Sequence, residues 1–73
     1  MQIILPALAQ RLKPLRQSHK LTQKQMAEFL KVTESYYQKI EYGKVNLPAT
    51  TLMALAAYFR VSADYLLGLS DRP

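Results

Sequence analysis

Between residues 22 and 43 the apolar positions recur at helical spacing in two short runs, parted by a polar break. Met26, Ala27, Phe29 and Leu30 form one apolar face. Thr22 precedes it, and its hydroxyl suits the cap of a helix beginning at Gln23. Ala27 is small enough for another helix to approach closely. Lys31 breaks the pattern, Val32 is free to plug inward, and Thr33 is a second capping candidate. Tyr37 and Ile40 then lie one turn apart on the inner side of a second helix. Ser35, Gln38, Lys39 and Tyr42 fall opposite them, and Gly43 suits a left-handed stop.

The same spacing continues on both sides. Leu8, Leu12 and Leu15 make a buried stripe on a first helix led in by Pro6, whose missing N–H costs nothing in a first turn. Pro14 falls inside that helix, so either a kink near Gln10–Arg11 or a shorter helix is expected. Lys44–Pro48 reads as a loop under which Val45 or Leu47 tucks. A fourth helix, from Ala49 or Thr50 to Phe59, turns Leu52, Leu55, Ala56 and Phe59 inward. Met53 and Ala57 widen that stripe, which makes this helix the expected central post of the core. Ser62 caps a last short helix, Ala63–Leu67, with Asp64 in its first turn and Gly68 ending it. The pattern therefore predicts one all-α domain of five helices in residues 1–73, ordered over about 6–69 with a frayed tail at 70–73. A short helix, a tight turn and a second helix with a polar outer face is the helix-turn-helix layout.

Composition narrows the chemistry. With 73 residues, no cysteine and a single histidine, the chain has neither a disulfide framework nor the ligands of a protein metal site. No apolar run nears the roughly 20 residues a bilayer span needs. The opening Ile3-Ile4-Leu5 run is too short for a signal peptide and lacks a preceding cation, so residues 1–10 read as a lead-in to the first helix. Net charge is +5. All of that excess lies in residues 11–44, where Arg11, Lys13, Arg16, Lys20, Lys24, Lys31, Lys39 and Lys44 face only Glu28, Glu34 and Glu41. Such a surface suits a polyanionic partner. Ser18 and His19 hint at nucleophilic catalysis, but neighbours in a turn are not expected to face each other as nucleophile and base, and no other catalytic cluster converges.

Leu21-Thr22-Gln23, Ala27, Val32-Thr33 and Ile40-Glu41-Tyr42-Gly43 together resemble the helix-turn-helix of the phage repressor/Cro type, the Xre family. The resemblance covers most of the chain. It extends to Leu12-Lys13 and Leu15-Arg16 in the first helix, to Pro48, Leu52, Leu55, Ala56 and Phe59 in the fourth, and to Val61-Ser62 and Tyr65-Leu66-Leu67-Gly68 in the fifth. Lys31 departs from the family's usual glycine at the turn, at a strain of roughly 1 kcal/mol if left-handed. The resemblance implies a lambda-repressor-like fold, sequence-specific binding of double-stranded DNA, and a transcription regulator of phage or bacterial repressor type in the cytoplasm, associated with the nucleoid. The alternative on the same fold is an antitoxin or adaptor-type protein-interaction module.

On this reading the third helix enters the major groove. Glu34, Ser35 and Lys39 match the family's base-reading positions, with Gln38 a fourth. Lys39 suits guanine O6 and N7, or else a phosphate, and Glu34 suits cytosine N4 or simply stabilises the helix start. Thr22, Gln23 and Lys24, at the start of the second helix, are expected to hold one phosphate, and Tyr36, Tyr42, Lys44 and Asn46 the backbone beyond. By resemblance, Arg16 pairs with Glu41 as a strut. Met53, Ala57, Tyr58, Leu67 and Leu69 remain as a surplus apolar surface for a homodimer, weak off DNA, on a near-palindromic operator. No cofactor, metal, membrane or small-molecule effector site is expected.

Overall fold

The computed structural model describes residues 6–73 as five helices: α1 (Pro6–Ser18), α2 (Gln23–Leu30), α3 (Glu34–Glu41), α4 (Ala49–Phe59) and α5 (Ala63–Leu67). The lead-in Ile3–Leu5 lies outside the described residues. Each of the three expected side-chain caps forms: Thr22 accepts from the Gln25 N–H, Thr33 from Tyr36 and Ser62 from Tyr65. At α2 the cap is reciprocal, because Gln25 Oε1 accepts from the Thr22 N–H at 2.8 Å. The Thr-x-x-Gln spacing is the signature of this box, though only Thr22 was read from the sequence. Lys31 stops α2 in the left-handed region at φ 59°, Gly43 follows α3 at φ 71°, and Gly68 stops α5 at φ 83°.

The core draws on every helix. Leu8 and Leu12 of α1, Met26 and Ala27 of α2, Tyr37 and Ile40 of α3, Leu55 and Phe59 of α4 and Leu66 of α5 form one buried cluster. Leu15, Val32, Leu52 and both Val45 and Leu47 are half-buried against it, so the loop tucks two side chains under and not one. α2 packs on α3, α1 on both α3 and α5, and α4 on α5, so α1 and not α4 holds the central position that the apolar pattern predicts for α4. Of its stripe only Leu55 and Phe59 are fully buried, and Met53 and Ala57 face outward. Phe29, expected inward, is 46% exposed, with its ring against Tyr58.

Pro14 does not shorten α1, which runs unbroken to Ser18. The last residues make contacts back to α1 and α5. Arg11 donates to the carbonyls of Tyr65 (2.6 Å) and Ser70 (2.7 Å), pairs with Asp71 at 3.2 Å, and lies 4.2 Å over the Tyr65 ring. Ser62 Oγ adds a long bond of 3.4 Å to the Arg72 carbonyl. No helix among the described residues is long and apolar enough to cross a membrane.

Candidate nucleic-acid interface

The end of α3, the second helix of the motif, is locked to α1 by a buried ion pair. Arg16 meets Glu41 in a fork, Nε to Oε2 at 2.8 Å and Nη2 to Oε1 at 3.0 Å, and its Nη1 donates to the Leu21 carbonyl at 2.8 Å. Glu41 is almost wholly buried and Arg16 nearly so. The resemblance thus named the right partners, and a planar guanidinium supplies the geometry. The bond to Glu41 raises the Arg16 pKa above its ordinary value against the opposing effect of burial. Tyr37 is buried beside this pair, and its hydroxyl finds no hydrogen-bonding partner among the described residues. Burial, with the Glu41 charge adding to it, pushes the phenol pKa far up.

From Glu41 the network runs out to the surface. Gln23 Nε2 donates to Glu41 Oε1 at 3.4 Å, and Gln38 Nε2 donates to Gln23 Oε1 at 3.2 Å. The Gln23 amide is therefore oriented, with its oxygen toward α3. Gln38 is half-buried and turned back onto α2, a placement that sequence spacing did not reveal. Around this network Glu34, Ser35 and Lys39 stand exposed on α3. Thr22 and Lys24 are exposed at the start of α2, beside the free N–H groups of that helix. Tyr42, Lys44 and Asn46 are exposed past the end of α3, whereas Tyr36 is half-buried against the core. One face thus gathers a helix N-terminus, an oriented amide and the outer side of α3.

Ser18 and His19 approach more closely than expected, with Oγ 3.2 Å from Nδ1. Both spend polar atoms on the Leu15 carbonyl, at 2.8 and 2.9 Å, and so finish α1. Among the described residues no three His, Asp or Glu side chains gather as metal ligands.

A short capped helix, a left-handed turn and a second helix braced on the first define a helix-turn-helix domain. A family model described as helix-turn-helix matches residues 12–66, and the chain belongs to that family. It is 44% identical over 64 residues to the uncharacterized HTH-type transcriptional regulator YobD of Bacillus subtilis, covering 88% of this chain and 57% of that protein. It is 34% identical over 61 residues to the immunity repressor protein of Bacillus phage phi105, covering 84% and 42%. The chain spans about half the length of the curated relatives it matches. Among solved structures, the restriction-modification controller protein C.AhdI from Aeromonas hydrophila superposes with a TM-score of 0.71 at 27% identity, over 85% of this chain and 94% of that one.

Proposed function

We propose that the chain binds specific double-stranded DNA as the reading domain of a transcription regulator, a repressor of phage or bacterial type acting on the nucleoid. The observation that carries this reading is the braced helix pair. α3 presents Glu34, Ser35 and Lys39 to solvent while its inner side is anchored through Glu41 to α1 and, through Gln38 and Gln23, to the start of α2. In the major groove, Lys39 and Glu34 face base edges. Gln23, with its oxygen engaged by Gln38 and one N–H directed to Glu41, offers its other N–H to a phosphate shared with the N-terminal N–H groups of α2. Gln38 then serves as an orienting residue and not a fourth base reader. Thr22 and Lys24 flank that phosphate, and Tyr42, Lys44 and Asn46 hold the strand beyond. Tyr36 adds a hydroxyl only at its margin.

Selection of bound sites from random duplexes, followed by titration of variants, tests the assignment. Lys39→Ala should cost about 1–3 kcal/mol and relax preference at one base pair, and Lys44→Ala should weaken all sequences alike. Each phosphate neutralised should contribute about −0.9 to the slope of log K against log salt. Salt-independent affinity, or sequence-blind losses from both variants, would count against it.

A further inference from the structure

Three helices end on one side of the molecule around a group of rings. His19, just past α1, lies edge-on to Phe59 with centroids 5.0 Å apart, and 6.5 Å from Tyr58. Phe29, in the last turn of α2, sits 4.6 Å from Tyr58 in the last turn of α4. Phe59 is buried, but Phe29 and Tyr58 remain 46% and 39% exposed. Beside them opens a shallow cleft of about 240 Å³, lined by Phe29, Leu30, Lys31, Thr50, Thr51 and Ala54.

Each of these helices is followed by a cation in the left-handed conformation: Lys20 at φ 57°, Lys31 at φ 59° and Arg60 at φ 56°. A Cβ is disfavoured there, and glycine or asparagine is the usual choice. All three cations are exposed, and none of them is in an ion pair among the described residues. Lys20 adjoins His19 and Arg60 adjoins Phe59 in sequence, and Lys31 lines the cleft, so each of the three cations is next to a member of the ring group or to the cleft beside it. The one acid adjoining these rings in sequence is Glu28, next to Phe29. The helix dipoles favour cations at these ends, but that preference does not account for an open aromatic surface between them. Gln23 opens α2 at its other end, roughly 12 Å away along the helix axis, while Lys31 lies three residues before Glu34, so the rings sit away from the start of α2 but close in sequence to that of α3.

We propose that this side docks an acidic peptide segment of a partner protein. One apolar side chain of the segment enters the cleft beside Phe29, and its carboxylates meet Lys31, Lys20 and Arg60. A nucleic-acid strand fits less well, because Phe29 and Tyr58 are tilted 54° to each other and so do not form a coplanar platform for successive bases.

The test is to pan a random linear-peptide library displayed on phage against the full chain and titrate synthetic copies of the enriched peptides. The expected peptides carry Asp and Glu around one apolar residue and bind in a salt-sensitive way. They should bind Phe29→Ala and the double variant Lys31→Gly/Arg60→Gly at least roughly tenfold more weakly. The glycine variant places glycine where the backbone is already left-handed, so it should melt no lower than the parent. If it melts lower and still binds the peptides equally, the cations serve folding and the proposal fails. No enrichment, or enrichment without acids, overturns it. So does Phe29-dependent self-association in sedimentation, or displacement of the peptides by single-stranded oligonucleotide.

Discussion

Tyr37 is the least comfortable side chain in the core. Its ring belongs to the buried cluster, while its hydroxyl, close to the Arg16–Glu41 pair, has no hydrogen-bonding partner among the described residues. Tyr37→Phe removes an unsatisfied buried group, so thermal melts at neutral pH should match the parent or exceed it by up to about 1 kcal/mol. The pH dependence has a definite sign. The folded-state pKa is raised, so the phenol contributes no penalty below its unfolded value near 10 and draws the chain toward unfolding as pH rises past it. Parent melts should fall above about pH 10, and those of Tyr37→Phe should fall less; parallel curves would show that another group governs the alkaline limit. Gly68 is constrained in the opposite way, by space. It combines φ 83° with a position where an added Cβ would stand 2.6 Å from Ala7 Cβ. Gly68→Ala should therefore cost roughly 1–3 kcal/mol, from backbone strain and overpacking together. Ala7→Gly should recover part of that loss in the double variant; no recovery would leave backbone strain as the whole effect.

At the scale of elements, what was legible in the sequence was local. Thr22, Thr33 and Ser62 marked the starts of α2, α3 and α5 because capping involves residues three apart. The outer residues of α3 were legible for the same reason, since periodicity assigns sides. What escaped were contacts between distant side chains. Arg11 was counted toward the basic surface, yet it clamps a tail about sixty residues away. Gln38 was read as facing outward and turns to Gln23 instead, and Phe29 was read as core and lies against Tyr58. Arg16–Glu41 is the instructive case, because resemblance supplied a long-range pair that spacing alone does not give. This pair ties α1 to the end of α3 in a buried setting, so removing one charge strands the other. Glu41→Ala should cost about 3–5 kcal/mol, a large share of the 5–15 kcal/mol typical of folded domains, and should blur the cooperative melt. If Glu41→Ala melts like the parent but no longer binds DNA, Glu41 is a contact residue and not a strut.

Taken as a whole, the molecule carries the proposed DNA-reading residues on and around α2 and α3 and the proposed pairing residues on α4, on α5 and just beyond it, which suits assembly in pairs. One α3 reads only a few base pairs, whereas two held about 34 Å apart read half-sites one turn apart. The proposed pairing surface is uneven. Met53 and Leu69 are 67% and 75% exposed, Ala57 is exposed and Leu67 half-buried, while Tyr58 is partly occupied by Phe29. Leu69 is not loose: its N–H donates to the Asp64 carbonyl at 2.8 Å, and Arg11 holds the next carbonyl, that of Ser70. An exposed apolar side chain on a backbone held at both sides needs less ordering to bury against a second copy than one on a free tail. The surface is small, so the free chain should sediment as a monomer or weak dimer and pair firmly only on a near-palindromic duplex. Leu69→Ser should leave affinity for a single half-site unchanged and remove most of the extra affinity the palindrome confers on the parent. Sedimentation of each complex counts the chains. If the parent binds half-site and palindrome equally, with one chain on each, pairing is not how it reads DNA. If the palindrome advantage survives Leu69→Ser, the chains pair through another surface.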